Sequence, residues 1–139
     1  MPARHQRGIL DTSVIIQLDR LPEAEPLPIT PLITTISLAE LSVGPLVAGN
    51  EVEQARRQAH VQLAESAFSP LPFGVEAARV FGSVAASLRQ AGRKPAARGK
   101  DAMIAAIALA NRLPIYTCNA RDFEGIDGLE VVTIPVPVG

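Results

Sequence analysis

The chain has 139 residues with a formal net charge of -1, of which 47% are hydrophobic and 19% charged. Such a composition suits a single domain over 1–139 with a real core, and excludes a disordered polyelectrolyte. A near-neutral chain has no global attraction for nucleic acid, so any such binding rests on local basic patches. The single cysteine, Cys118, excludes an internal disulfide framework and suits a reducing cytoplasm.

In chain order, the first eight residues are basic but lead into an apolar stretch that Asp11 interrupts, too short for a signal peptide. Gly8-Ile9-Leu10 reads as a short buried strand that delivers Asp11, and Val14 to Leu18 continues apolar as a helix would. Leu21 to Pro31, with prolines at 22, 26, 28 and 31, is a predicted loop. Ile33 to Ile36 reads as the second strand, followed by a helix from Ser37. Glu51 to Ala67 is a predicted helix, in hairpin with the preceding one, with Val52, Ala55, Ala59, Leu63 and Ala67 on its apolar face.

Leu71 to Phe73 reads as a short strand. Val75 to Ala91 reads as an amphipathic helix with Ala78, Phe81, Val84, Ala85 and Leu88 inward, stopped by Gly92. Lys100 to Arg112 is apolar on nearly every side and so predicts a buried helix. Pro114 opens a strand ending near Thr117. Val131 to Ile134 is the last predicted strand, before an edge-like tail with Pro135 and Pro137. The longest apolar run, Ala102 to Ala110, is about half of a membrane span. No membrane association is expected.

Short apolar strands alternating with helices predict an α/β fold of three layers, a short, mainly parallel central sheet with helices on both faces. Ligands gather at the carboxyl ends of such strands. Asp11 and the Asn119 to Asp122 turn follow strands, and Glu40 and Asp101 are predicted in the first turns of helices, so the four acids point to one edge. Burying an unpaired carboxylate costs several kcal/mol or more, so acids gathered at one place need a cation. Each also has a local reading. Ser37-Leu38-Ala39-Glu40 matches a capping box, Asp101 gains from the helix dipole, Asp11 can cap, and Asn119 with Asp122 can close a turn anchored by Phe123.

Four strings carry a family resemblance: Ile9-Leu10-Asp11-Thr12-Ser13-Val14, Ser37-Leu38-Ala39-Glu40-Leu41, Lys100-Asp101-Ala102-Met103-Ile104-Ala105 and Thr117-Cys118-Asn119-Ala120-Arg121-Asp122-Phe123. In order, from about Gly8 to Ile134, they resemble the PIN-domain nucleases, and within these the VapC toxins of bacterial toxin–antitoxin pairs. The resemblance implies a Mg²⁺- or Mn²⁺-dependent ribonuclease that cuts single-stranded or loop RNA and is held inactive by a cognate VapB-type antitoxin. A homodimer and a toxin–antitoxin hetero-oligomer are the implied assemblies. Asp11, Glu40 and Asp101 carry over as the acidic triad. Many relatives place an acid where this chain has Asn119, so either Asn119 offers its carbonyl or Asp122, three residues on, substitutes.

The chemistry wants the same composition. Hard cations held by carboxylates lower the pKa of a water and offset the charge that develops in phosphodiester hydrolysis. Oxygen donors without His or Cys favour Mg²⁺ or Mn²⁺ over zinc. Asp11 and Asp101 are the expected direct ligands, Glu40 a water-mediated ligand or water activator, and Asn119 and Asp122 the outer shell. Thr12 and Ser13 are expected to orient a carboxylate or bind phosphate. Arg93, Lys94, Arg98 and Lys100 are the candidates for holding RNA. Aromatic residues make up only 4% of the chain, which argues against recognition by base stacking. The alternative is a non-catalytic PIN-fold module that binds RNA or protein. Val43, Leu46 and Val47 are expected either to form a dimer face or antitoxin groove, or to pack inside the helical hairpin.

Overall fold

The computed structural model describes residues 5–22 and 27–137. The start of the basic leader and the middle of the proline-rich loop, Pro26 included, lie outside the described residues. The apolar segments form five short strands: β1 (Arg7–Leu10), β2 (Thr30–Thr34), β3 (Pro70–Leu71), β4 (Ile115–Thr117) and β5 (Val131–Thr133). Their order is β3-β2-β1-β4-β5, and every pairing is parallel. Helices α1 (Thr12–Ile15), α2 (Thr35–Val43), α3 (Glu51–Ala67), α4 (Val75–Gln90) and α5 (Gly99–Ala110) supply most of the crossovers that parallel pairing requires.

Alternation along the strands divides the core in two. Ile9 and Ile115, neighbours in register, pack with Val84 and Leu88 of α4 and with α5. Leu10 and Tyr116, the next pair, pack on the other face with Val14, Ile33, Leu41, Val61 and Ala64. The sheet is thus buried on both sides. α5 is apolar all round because Ala102 and Ile104 to Ala108 are all buried.

β2 begins earlier than predicted and carries Pro31. The Thr30 N–H donates to the Gln6 carbonyl at 2.8 Å, so alternation turns the Pro31 nitrogen to the other side, where β3 pairs only from Ile33 onward. The missing donor costs nothing there. Gly8, opposite Pro31, has no room for a side chain, since a Cβ would lie 2.5 Å from the Tyr116 ring.

The predicted inner face of α3 is corrected. Val61 and Ala64 are buried, whereas Val52 is 81% exposed. The inward stripe also holds Glu53 and Arg57. Arg57 donates to Glu53 at 3.0 Å and to the Gly44 carbonyl at 3.0 Å, so a satisfied polar pair occupies space that an apolar count assigns elsewhere. On α4, Ala77 rather than Ala78 faces inward with Val84 and Leu88. Gly92, at φ +77°, ends α4 as expected, with Gly92 N–H to Arg89 and Arg93 N–H to Leu88 closing a Schellman turn.

Candidate active site

Parallel strands bring all their carboxyl ends to one edge, and the site is built there. Asp11 is the first residue beyond β1. Its N–H donates to the Tyr116 carbonyl at 3.0 Å, and its carboxylate accepts the Val14 N–H at 3.2 Å as the cap of α1. The Ser13 hydroxyl donates to the same carboxylate and accepts the Cys118 N–H at 2.9 Å, tying Asp11 to the end of β4. Thr117, fully buried, accepts the Asn119 N–H at 3.0 Å. Asp11 is 5% exposed, and burial pushes its pKa up against the opposing pull of hydrogen bonds from Ser13, Thr117 and Val14.

Glu40 is not a cap. α2 starts at Thr35, and Thr34 is its cap, accepting the Ser37 N–H at 3.1 Å, so the capping-box reading of Ser37 and Glu40 is corrected. Glu40 therefore sits in the second turn, and not the first. It receives the Thr12 hydroxyl at 2.9 Å, and that hydroxyl also lies 3.0 Å from Ser37 Oγ. Thr12 thereby links the start of α1 to the middle of α2.

Asp101 is the third residue of α5, in its first turn as expected. Its pKa is raised to about 6, first by burial and then by the charges of Asp122, Glu40 and Asp11, with Arg98 pulling the other way. Four acids that are far apart in sequence thus share one electric field.

Asp122 stands in the 3-10 turn Ala120–Phe123, whose Phe123 is buried. One of its oxygens accepts from Arg98 at 3.0 Å and the other from the Asn119 amide at 3.1 Å. Asn119 and Asp122 therefore act as a pair, with Asp122 carrying the charge. Of the basic candidates, Arg93 and Arg98 line one cleft together with Arg121, which sequence reasoning missed. Lys94 is exposed and does not line it. Lys100 lies apart, beside Glu40 and the apolar side chains of Ile36, Val43 and Met103.

Sequence reasoning also missed the buried hydroxyls of Thr34 and Thr117, and it gave that of Ser37 the capping task that Thr34 performs. Thr34 and Thr117 were open to notice, since each is the last residue of an apolar strand. Among the described residues, no group of three or more His, Cys, Asp or Glu side chains is close enough to hold an ion by itself. Asp11, Glu40 and Asp122 lie within electrostatic reach of Asp101 without forming a full coordination shell. An all-oxygen set of this kind fits a small hard cation that keeps several waters and takes only one or two carboxylates directly.

Residues 9–129 match the PIN domain family. The chain is 33% identical to Ribonuclease VapC of Rickettsia bellii, over 92% of this chain and 96% of that protein. It is 35% identical to Ribonuclease VapC5 of Mycobacterium tuberculosis, over 91% of this chain and 93% of that one. Among solved structures, it resembles a chain of the VapBC-5 toxin–antitoxin complex of M. tuberculosis with a TM-score of 0.80 and 32% identity, covering 93% of this chain and 99% of that chain. The DNA-bound VapBC of Salmonella typhimurium aligns with a TM-score of 0.72 and 27% identity, over 92% and 98%.

Proposed function

The chain belongs to the PIN-domain family, among the VapC ribonucleases, and from that membership we propose that it is a metal-dependent endoribonuclease acting as the toxin of a toxin–antitoxin pair. The reading takes 1–139 as one PIN-like domain. Its substrate is single-stranded or loop RNA, and its cation is Mg²⁺ or Mn²⁺. The observation that carries it is the field shared by Asp11, Glu40, Asp101 and Asp122 at the strands' carboxyl edge.

In this reading Asp11 and Asp101 would hold the cation, and Glu40 would act as a water-mediated ligand or as the activator of the attacking water. When bound, the ion supplies a water of lowered pKa and charge stabilisation for the leaving oxygen. The chain's own residues do the rest. Thr12 fixes the Glu40 carboxylate, Ser13 fixes that of Asp11, and Asn119 with Arg98 fixes that of Asp122. Glu40, pinned at one oxygen, has its other oxygen to orient the attacking water. Arg93, Lys94, Arg98 and Lys100 offset the repulsion between RNA phosphates and the acids.

The proposed partner is a VapB-type antitoxin, in a hetero-oligomer built on a toxin homodimer. Val43, Leu46 and Val47 are 51%, 82% and 66% exposed, and this apolar surface supports a docking face. Among the described residues, no helix is long and apolar enough to cross a membrane. Action in the cytoplasm fits the reduced single cysteine.

The test incubates antitoxin-free protein with total RNA in Mg²⁺, Mn²⁺ or chelator, beside an Asp101→Asn control. Discrete fragments that need both metal and Asp101 support the nuclease. Folded protein that leaves structured and unstructured RNA intact in either metal rejects it.

A further inference from the structure

Beside Asp122 opens a hollow of opposite charge. A cleft of about 510 Å³ lies between the end of α4, the 3-10 turn Pro95–Arg98 and the turn at Ala120–Phe123, lined by Ala91, Arg93, Arg98, Arg121, Glu124 and Gly125. Three arginines face one glutamate. Arg98 is committed to Asp122 at 3.0 Å. Arg93 is held by the Glu124 carbonyl at 3.2 Å and by its carboxylate at 3.5 Å, a long contact. The Arg121 side chain is exposed and makes no ion pair or hydrogen bond among the described residues. One wall is closely packed, since Gly125 has φ +86° and a Cβ there would lie 2.7 Å from that of Ala91.

With Arg98 partnered by Asp122 and Arg93 by Glu124, one positive charge, that of Arg121, is left over at the cleft. A planar guanidinium matches phosphate oxygens two at a time, which suits such a cleft to a polyanion. Its place is informative as well. Arg98 both lines the cleft and touches the acid nearest in influence to Asp101, so the cleft and the acids are contiguous.

We infer that this cleft is a phosphate subsite for the RNA backbone flanking the bond to be cut, with Arg121 as its free donor and Arg93 as its fixed one. The inference rests on the nuclease reading and adds the side on which the strand lies. Lys100, on the Glu40 side among apolar side chains, stands outside this subsite.

The test needs no chemistry. A fluorescent, mixed-sequence single-stranded RNA is titrated with protein in chelator at several salt concentrations, for wild type, Arg121→Gln, Arg93→Gln and Arg79→Gln. Arg79, on an exposed face of α4 and paired with Glu76, serves as the control. Arg121→Gln should weaken binding several-fold and reduce the slope of log K against log salt by about 0.7, one phosphate contact on a single strand. Arg93→Gln should do the same, with a melting curve to separate any loss of its Glu124 contacts, and Arg79→Gln should match wild type. No RNA binding by wild type, an Arg121→Gln slope equal to wild type, or an equal loss in Arg79→Gln overturns the subsite. Failure of the nuclease reading would look different, as RNA left uncut in Mg²⁺ and Mn²⁺ while these binding slopes persist.

Discussion

Asp101 bears the least comfortable charge in the site, and its pH behaviour follows from that. Its folded pKa, about 6, stands above the ordinary 3.8, so the folded protein binds this proton more tightly than the unfolded chain does. The stability this supplies is fully present below about pH 3.8 and is lost as pH rises through about 6. Asp101→Asn should therefore melt higher than wild type at neutral pH, the two curves converging as pH falls towards the unfolded value. The same variant should lose RNA cleavage by roughly 100-fold or more if Asp101 is the metal ligand proposed above. Wild-type cleavage should itself decline as acid protonates Asp101. A thermal melt series and a pH–rate profile check both, and an Asp101→Asn melting point at or below wild type near pH 7 would contradict the shared field. Ser13 offers a second check. Its hydroxyl serves Asp11 and the Cys118 N–H at once, so Ser13→Ala should cost about 1–2 kcal/mol in a denaturant titration. Asp11 and Glu40 were legible in sequence because each interrupts an apolar run, and Asp101 because it opens one. Their hydroxyl partners were not, because a hydrogen bond between residues 12 and 40 depends on how two helices meet.

At the scale of elements, helix ends decide the differences from expectation. α4 ends on Gly92 and was read correctly, since glycine at a positive φ is the common signal. α5 ends on the same kind of turn, with Leu113 N–H reaching the Ala108 carbonyl at 2.9 Å, but the left-handed residue is Arg112 at φ 56°. An arginine gives no such signal, so its helix was read as running on to residue 112. A left-handed arginine is strained by roughly 1–2 kcal/mol, partly offset in a glycine variant by the greater freedom of the unfolded chain. Arg112→Gly should thus stabilise by about 0.5–1 kcal/mol, seen as a higher denaturation midpoint with an unchanged slope. A lower midpoint would show that the Arg112 side chain contributes more than its backbone costs. The inner face of α3 was misread for a related reason, because the Glu53–Arg57 pair looks like surface until its partner carbonyl at Gly44 is in place.

For the whole molecule, two cores on opposite sheet faces leave an apolar surface around the turn joining α2 to α3, with Leu46 82% exposed. Leu46→Glu should leave the melting temperature of the isolated chain nearly unchanged, since little is buried there, and should weaken the proposed assembly with itself or with an antitoxin. Light scattering after size exclusion checks this, and an unchanged assembly would remove the face from consideration.

The sequence by itself determined the parallel α/β class and the order of its elements, and it singled out the acids that the structure brings near Asp101. Apolar strand segments, their alternation with helices and isolated carboxylates are local patterns that any close reading recovers. Only the tertiary structure decided that Thr34 and not Ser37 caps α2, that Glu40 is held by Thr12, and that Arg98 and Arg121 share a cleft. These facts depend on which carboxyl ends the sheet order places side by side, and on the distances between side chains carried by different elements.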